Sequence, residues 1–228
     1  SSVPSGACAT PPVNCATSGL TLRAYANSVQ VASGYGVSDG RSGVGPDYYL
    51  SQAPLAQGST NSLGVPSKGS AGSTATPYNP QTPGSSATFQ YYDGLTQTYG
   101  GITYNANNFT LVFTGYFRPD QTGTYTFCYA PNADNRDVLY LGSISAFPCG
   151  QPSKGATPRG ATPLAQYWFA ASGNTGCVST NLVAGFFYPI RSVFGNWGTP
   201  SSLSLVFSGP GRTTNSSDIS GLAYAESC

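Results

Sequence analysis

The stretch Asn132-Ala-Asp-Asn-Arg-Asp137 sets two carboxylates, an amide and a guanidinium side by side in a chain of which only 7% is charged. Asp134, Asn135 and Asp137 offer the hard oxygens that calcium takes, about six to eight of them at roughly 2.3–2.6 Å. Asn196, in the stretch GNWGTP, offers one more. The same residue types also suit a hairpin turn, because Asp and Asn bond back to their own backbone. Residue type leaves both readings open, and the EF-hand consensus is absent. Acid–base and nucleophilic chemistry is poorly served. There is no histidine, so Ser-His-Asp and Cys-His arrangements cannot form. Cysteines paired in disulfides leave no thiolate. A glycosidase needs carboxylates on opposite sides of a bond, whereas Asp134 and Asp137 share one short stretch. The chain is not expected to be an enzyme.

The elements that must carry these residues read as strands. The 228 residues include 16 Tyr, 11 Phe, 29 Gly and 18 Pro, and short apolar runs are punctuated by Gly, Pro, Asn and Ser. That pattern predicts an all-β fold, an antiparallel sandwich or barrel, forming one domain over residues 1–228. One or two strands are expected within Leu20–Ser33. Further strands are expected at 108–119, 123–130, 138–147, 166–171, 181–196 and 202–208, with 131–137 as a loop. The Gly-, Ser-, Pro- and Tyr-rich stretch at about 34–89 predicts a long irregular insertion draped over the sandwich. Trp168 and the aromatics Tyr116, Phe117, Phe186, Phe187 and Tyr188 are expected to pack in the core.

Six cysteines, Cys8, Cys15, Cys128, Cys149, Cys177 and Cys228, form no CxxC pair, and no histidine stands by to complete a zinc site. An even, widely spaced set predicts three disulfides and an oxidising compartment, with the pairing open at this point. Two N-glycosylation acceptors, Asn108 and Asn215, agree with secretion. Neither a signal peptide nor an apolar run of membrane-spanning length is read in residues 1–228, and no membrane insertion is expected. Net charge is +1, without a basic stripe, so a nucleic-acid partner is not expected either. A surface polar through hydroxyls and amides suits neutral glycans.

The stretch FTLVFTGYFRPDQTGTYTFCYAPNADNRDVLYLGSISAFPC (109–149) resembles the yeast flocculin and epithelial-adhesin lectins, members of the protective-antigen-like (PA-14, also GLEYA) domain family. It carries TGYF at 114–117, QTGTYTF at 121–127, a carboxylate stretch, and a strand ending AFxC at 146–149. GFFYPIRSVFGNWGTPSSLSL (185–205) is similar to the family's tyrosine/proline strand and second calcium loop. The likeness is diffuse over residues 1–108.

The resemblance implies a PA-14-like sandwich that binds Ca2+ and, through it, neighbouring hydroxyls of a terminal sugar. In that family two adjacent aspartates joined by a cis peptide chelate the ion, and an asparagine and backbone carbonyls complete the sphere. Here those positions fall on Asp134, Asn135 and Asn196, with carbonyls expected from Trp197 and Thr199. Asn135 departs from the pattern, costing one negative charge but keeping a competent oxygen. A cis Asp134–Asn135 bond is expected. Arg136 either donates to a sugar hydroxyl or pairs with Asp137. Asp137 and Trp197 complete the expected sugar contacts. The resemblance also implies that Cys8 and Cys15 tie to Cys149 and Cys228, leaving Cys128 with Cys177. The implied role is a calcium-dependent adhesin on terminal sugars of cell-surface or wall glycans. It would be a monomer acting multivalently in the extracellular cell wall, attached through a C-terminal region outside this chain. N-acetylglucosamine is favoured over mannose or galactose, since a neutral Asn135 beside Trp197 suits an acetamido group. The alternatives are a non-binding wall protein of the same fold or a carbohydrate-active enzyme.

Overall fold

Period-two alternation builds the layers of this protein. In the stretch SSLSLVFSG, Leu203, Leu205 and Phe207 are buried, while Ser202, Ser204 and Val206 are only half-buried, as a strand with one covered face requires. A computed structural model describes residues 2–9, 19–25, 49, 53–68, 75–77, 90–92, 96–106, 108–134, 136–151, 161–168, 174–197 and 201–226. Among them run β1 (Leu20–Tyr25), β2 (Ala56–Thr60), β3 (Val65–Lys68), β4 (Ala75–Pro77), β5 (Gln90–Tyr92), β6 (Thr96–Tyr99), β7 (Ile102–Asn105) and β8 (Asn108–Phe117). They are followed by β9 (Gly123–Asp134), β10 (Arg136–Leu141), β11 (Ala165–Trp168), β12 (Cys177–Leu182), β13 (Tyr188–Trp197), β14 (Ser201–Gly209), β15 (Arg212–Ser216) and β16 (Ala223–Ala225).

A seven-stranded antiparallel sheet runs β11-β10-β13-β8-β1-β2, with β16 also on β8; a five-stranded one runs β12-β9-β14-β15, with β3 also on β14. Phe117 of the first sheet meets Tyr125, Phe127 and Phe207 of the second at ring-centroid separations of 5.7, 6.0 and 5.6 Å. The inward residues of both sheets thus form one core, each large side chain contributing about 1.5–3 kcal/mol of burial. The seven-stranded sheet is covered on its outer face as well. Tyr116, Val138, Tyr140, Phe147 and Phe187 pack there beneath the N-terminal segment, held by the Cys8–Cys149 disulfide. At Gly115 the carbonyl of Tyr224 lies 2.1 Å from where a Cβ would stand, so only glycine lets β16 lie against β8.

The all-β antiparallel expectation holds, as do the strand expected at 108–119, which ends at Phe117 before Arg118-Pro119, the core positions of Trp168, Tyr116, Phe117, Phe187 and Tyr188, and the Cys128–Cys177 pair; Phe186 is instead half-buried in the turn before β13. Two disulfides lie among the described residues; Cys15 and Cys228 fall outside them. Several boundaries differ. The expected loop at 131–137 is largely strand: β9 continues to Asp134 and β10 begins at Arg136. The register explains how Pro131 is tolerated. Tyr129 opposes Leu205 and Ala133 opposes Leu203, so β9 spends two extra residues in a bulge, where a missing N–H costs no ladder bond. The expected strand at 181–196 is two, β12 and β13, because Val183 to Phe186 turn the chain. The strand expected at 138–147 ends at Leu141, where Gly142 (φ 103°) starts a turn. Residues 56–68, expected within the irregular insertion, supply β2 and β3, one to each sheet. Most of the remaining insertion lies outside the described residues.

Candidate functional site

Two strand ends meet at one rim of the sandwich. Asp134 closes β9 opposite Ser202 of β14, and Asn196 lies one residue from the end of β13. Arg136 opens β10 opposite Gly195, the neighbour of Asn196. The chain leaves β13 at Trp197 and re-enters at Ser201, beside the partner of Asp134. Sheet pairing therefore brings Asp134 and Asn196, 62 residues apart in sequence (196 − 134), to the same end of the molecule.

Asp134 is half-buried. Burial pushes its carboxyl up to about 6 from the ordinary 3.8, and no hydrogen bond or ion pair with a described residue offsets that. Desolvation of this kind favours the neutral carboxyl and makes the ionised form costly unless a positive charge lies beside it. Asn196 is fully buried. Its Nδ2 donates to the carbonyl oxygen of Ala106 at 3.5 Å, which turns the nitrogen end of the amide toward that carbonyl and fixes the orientation of Oδ1. Arg136 is half-buried, and its Nη2 donates to Oε1 of Gln166 on β11 at 3.1 Å. Pairing with Asp137, one of the two roles expected of Arg136, is not what the carboxylate does.

Asp137 is corrected. Expected among the sugar contacts, it is wholly buried: Tyr129 donates to its Oδ2 at 2.6 Å and Ser192 to its Oδ1 at 2.5 Å. Burial pushes its carboxyl up to about 7, outweighing both hydrogen bonds; the same burial, with Asp137 beside it, holds the Tyr129 phenol well above its usual range. A carboxylate enclosed this way presents nothing to a saccharide. The reason is strand alternation. Asp137 and Leu139 share the inward face of β10, whereas Val138 and Tyr140 face the outer cluster. Sequence reading missed Tyr129 and Ser192 as partners, since neither lies at a spacing from Asp137 that marks contact.

Asn135 and Thr199 lie outside the described residues, and with them the expected cis Asp134–Asn135 bond. The backbone of Trp197 pairs with Asn108. The glycosylation acceptors differ in setting: Asn215 is exposed on β15, while Asn108 opens β8 with Phe109 and Thr110 of its sequon buried. Among the described residues no cluster of three or more His, Cys, Asp or Glu side chains could hold a metal. Two open grooves lie elsewhere: one of about 380 Å³ by Phe207 and Arg212, another of about 360 Å³ by Tyr99 and Pro66. Neither touches Asp134 or Asn196.

The family described as the GLEYA domain matches residues 109–209. Flocculation protein FLO9 of Saccharomyces cerevisiae is 37% identical over 134 residues, which is 54% of this chain and 10% of that protein. Topoisomerase I damage affected protein 8 of the same yeast is 34% identical over 122 residues, 49% of this chain and 90% of that protein. This chain thus spans about a tenth of the length of the flocculation protein. Among solved structures, the epithelial adhesin 9 A domain of Candida glabrata, in complex with Galβ1-4GlcNAc, gives a TM-score of 0.68 at 21% identity, covering 97% of this chain and 94% of that one. The PA14 domain of the MpAFP antifreeze protein gives 0.51 at 17% identity, covering 95% of each. At these identities the structural likeness establishes the fold alone. Flocculation proteins and epithelial adhesins are named for adhesion and not for a reaction. No helix among the described residues is long and apolar enough to cross a membrane.

Proposed function

We propose, from the premise that this chain belongs to the GLEYA family of flocculin- and adhesin-type PA14 lectin domains, that it is a calcium-dependent, carbohydrate-binding adhesin domain. The observation that carries this reading is Asp134. It is a half-buried carboxylate with no described partner, at the rim where Asn196 arrives. The residues to hold calcium are Asp134, Asn135 and Asn196, with backbone oxygens of Trp197 and Thr199. A bound calcium supplies open coordination positions for two adjacent sugar hydroxyls. Asp134 fixes the orientation of those hydroxyls from its side of the rim, and Asn196 is held in register by Ala106. Arg136, steadied by Gln166, and Trp197 are the residues proposed to select the sugar. Asp137 is not among them.

The ligand class is a terminal sugar of a neutral glycan, which suits a chain with net charge +1. N-acetylglucosamine is the favoured terminus, with galactosides the nearest competitor, since the adhesin neighbour holds Galβ1-4GlcNAc. The setting is an extracellular cell surface, where many weak contacts add up. A glycan array carrying N-acetylglucosamine, galactose and mannose termini, run with calcium and with a chelator, tests the reading. Capture that disappears in chelator and in Asp134→Ala supports it; capture that survives both overturns it. Calcium binding without capture of any glycan, the outcome that the neutral Asn135 makes worth naming, would assign a structural wall role instead.

A further inference from the structure

The carboxylate withdrawn from the sugar face has a task of its own. Asp137 joins three strands at one point: its own β10, β13 through Ser192, and β9 of the opposite sheet through Tyr129. Two of these strands end in the proposed ligands. Tyr129 lies five residues before Asp134 on β9, and Ser192 four before Asn196 on β13, on the same inward face. The phenol is itself held, since Tyr129 packs on Tyr167 at 5.6 Å and its backbone N–H donates to the carbonyl of Gly176 at 3.1 Å.

Stability alone does not account for an acid here. Among the described residues Asp137 has no ion pair, and enclosing a carboxylate without a cation costs more than an apolar side chain of similar size. Local choices that break the folding rules collect at functional sites. Resting on the calcium-binding reading above, we propose that Asp137 is the positioning residue of the rim. Its two hydrogen bonds set the spacing between β9 and β13, and so bring Asp134 and Asn196 to bear on one cation. It touches neither cation nor sugar.

The test uses calcium alone as the probe, by titration calorimetry on the intact chain, with thermal unfolding in chelator alongside. Asp137→Asn keeps the bracket, because the amide oxygen accepts from Ser192 and the amide nitrogen donates to the Tyr129 oxygen. Its calcium affinity is expected to be indistinguishable from that of wild type. The triple variant Tyr129→Phe/Asp137→Val/Ser192→Ala removes the bracket without leaving an unpaired polar group. It is expected to unfold in chelator at the wild-type temperature or above, yet to bind calcium at least tenfold more weakly. That divergence, with rescue by Asn, is something a purely structural residue cannot produce. Should the triple variant not fold, Tyr129→Phe and Ser192→Ala each remove one arm and are each expected to lose about threefold. Wild-type affinity in the folded triple variant, or in both single variants, overturns the proposal. Failure of the wild-type protein to bind calcium would overturn the calcium-site reading itself, and this inference with it.

Discussion

If Asp134 is a calcium ligand, calcium binding must compete with a proton at that carboxyl, and the structure sets the pH range. Burial places the carboxyl at about 6 when no cation is present. Such a group is almost wholly ionised at pH 7.5 and about nine-tenths protonated at pH 5, so apparent calcium affinity should fall about tenfold between them, or ~1.4 kcal/mol. A solvated carboxylate near its ordinary 3.8 would lose less than about twofold over the same span. Asp137, which titrates at about 7, is protonated within this window too, so the series belongs in the Asp137→Asn background. The assay is calorimetry from pH 7.5 to 5, repeated in buffers of different ionisation enthalpy. Near pH 5 to 5.5 the heats should report about one proton released per calcium bound. The same linkage has an opposite face in calcium-free protein. Because the folded group titrates above its unfolded value, its contribution to stability is full below about 4 and is lost as pH rises through 6. Calcium reverses that trend by favouring the ionised form. An affinity that is flat from pH 7.5 to 5, in protein that does bind calcium, would refute the assignment of Asp134 as a ligand.

Two further outcomes follow from charges elsewhere. Burial raises the Asp137 carboxyl from 3.8 to about 7, which makes the folded state the stronger proton binder. In chelator the wild-type protein should therefore lose on the order of 4 kcal/mol of unfolding free energy between pH 4 and pH 8 relative to Asp137→Asn; urea titrations with parallel pH profiles for the two proteins would contradict this. Glu226, the chain's one glutamate, is buried and engaged by Arg23 and by the hydroxyl of Thr114. Glu226→Ala should cost about 3–5 kcal/mol, whereas Arg212→Ala, which breaks the exposed pair with Asp120 at 2.8 Å, should cost less than about 1 kcal/mol. Equal urea midpoints for these two variants would show that the buried pair carries no special weight.

What the sequence discloses and what it hides divide along physical lines. The layers are legible because alternation is local: Leu203, Leu205 and Phe207 announce an inward face without reference to any other strand. Cys128 and Cys177 sit directly opposite on paired strands, as the family likeness implied. Residues 56–68 are opaque because their side chains are small and polar; only the partners in β1 and β14 make Gly58 or Ser67 part of a sheet. The Asp134–Asp137 cluster misleads for a different reason. Four consecutive residues read as one surface feature, yet a strand boundary falls between them. Alternation then turns Asp137 inward and leaves Asp134 at the rim. Proximity in sequence is here a poor guide to shared chemistry.

The same division bears on how strongly this domain can bind. With Asp137 enclosed, the proposed ligand set retains a single formal charge, from Asp134, and Asn135 contributes an amide where the family pattern has a second aspartate. Calcium affinity falls as ligand charge is removed, and extracellular modules operate at Kd values of about 10⁻⁴–10⁻³ M. A site of one carboxylate and several neutral oxygens belongs at the weak end of that range unless its geometry is rigidly set in advance, since every ångström of freedom in the strand ends would weaken it further. Rigidity is what a bracket between β9, β10 and β13 provides. On this view the two departures from a plain apolar core and a doubly acidic loop belong together: the charge missing at Asn135 makes positioning matter more, and the acid buried at Asp137 supplies it.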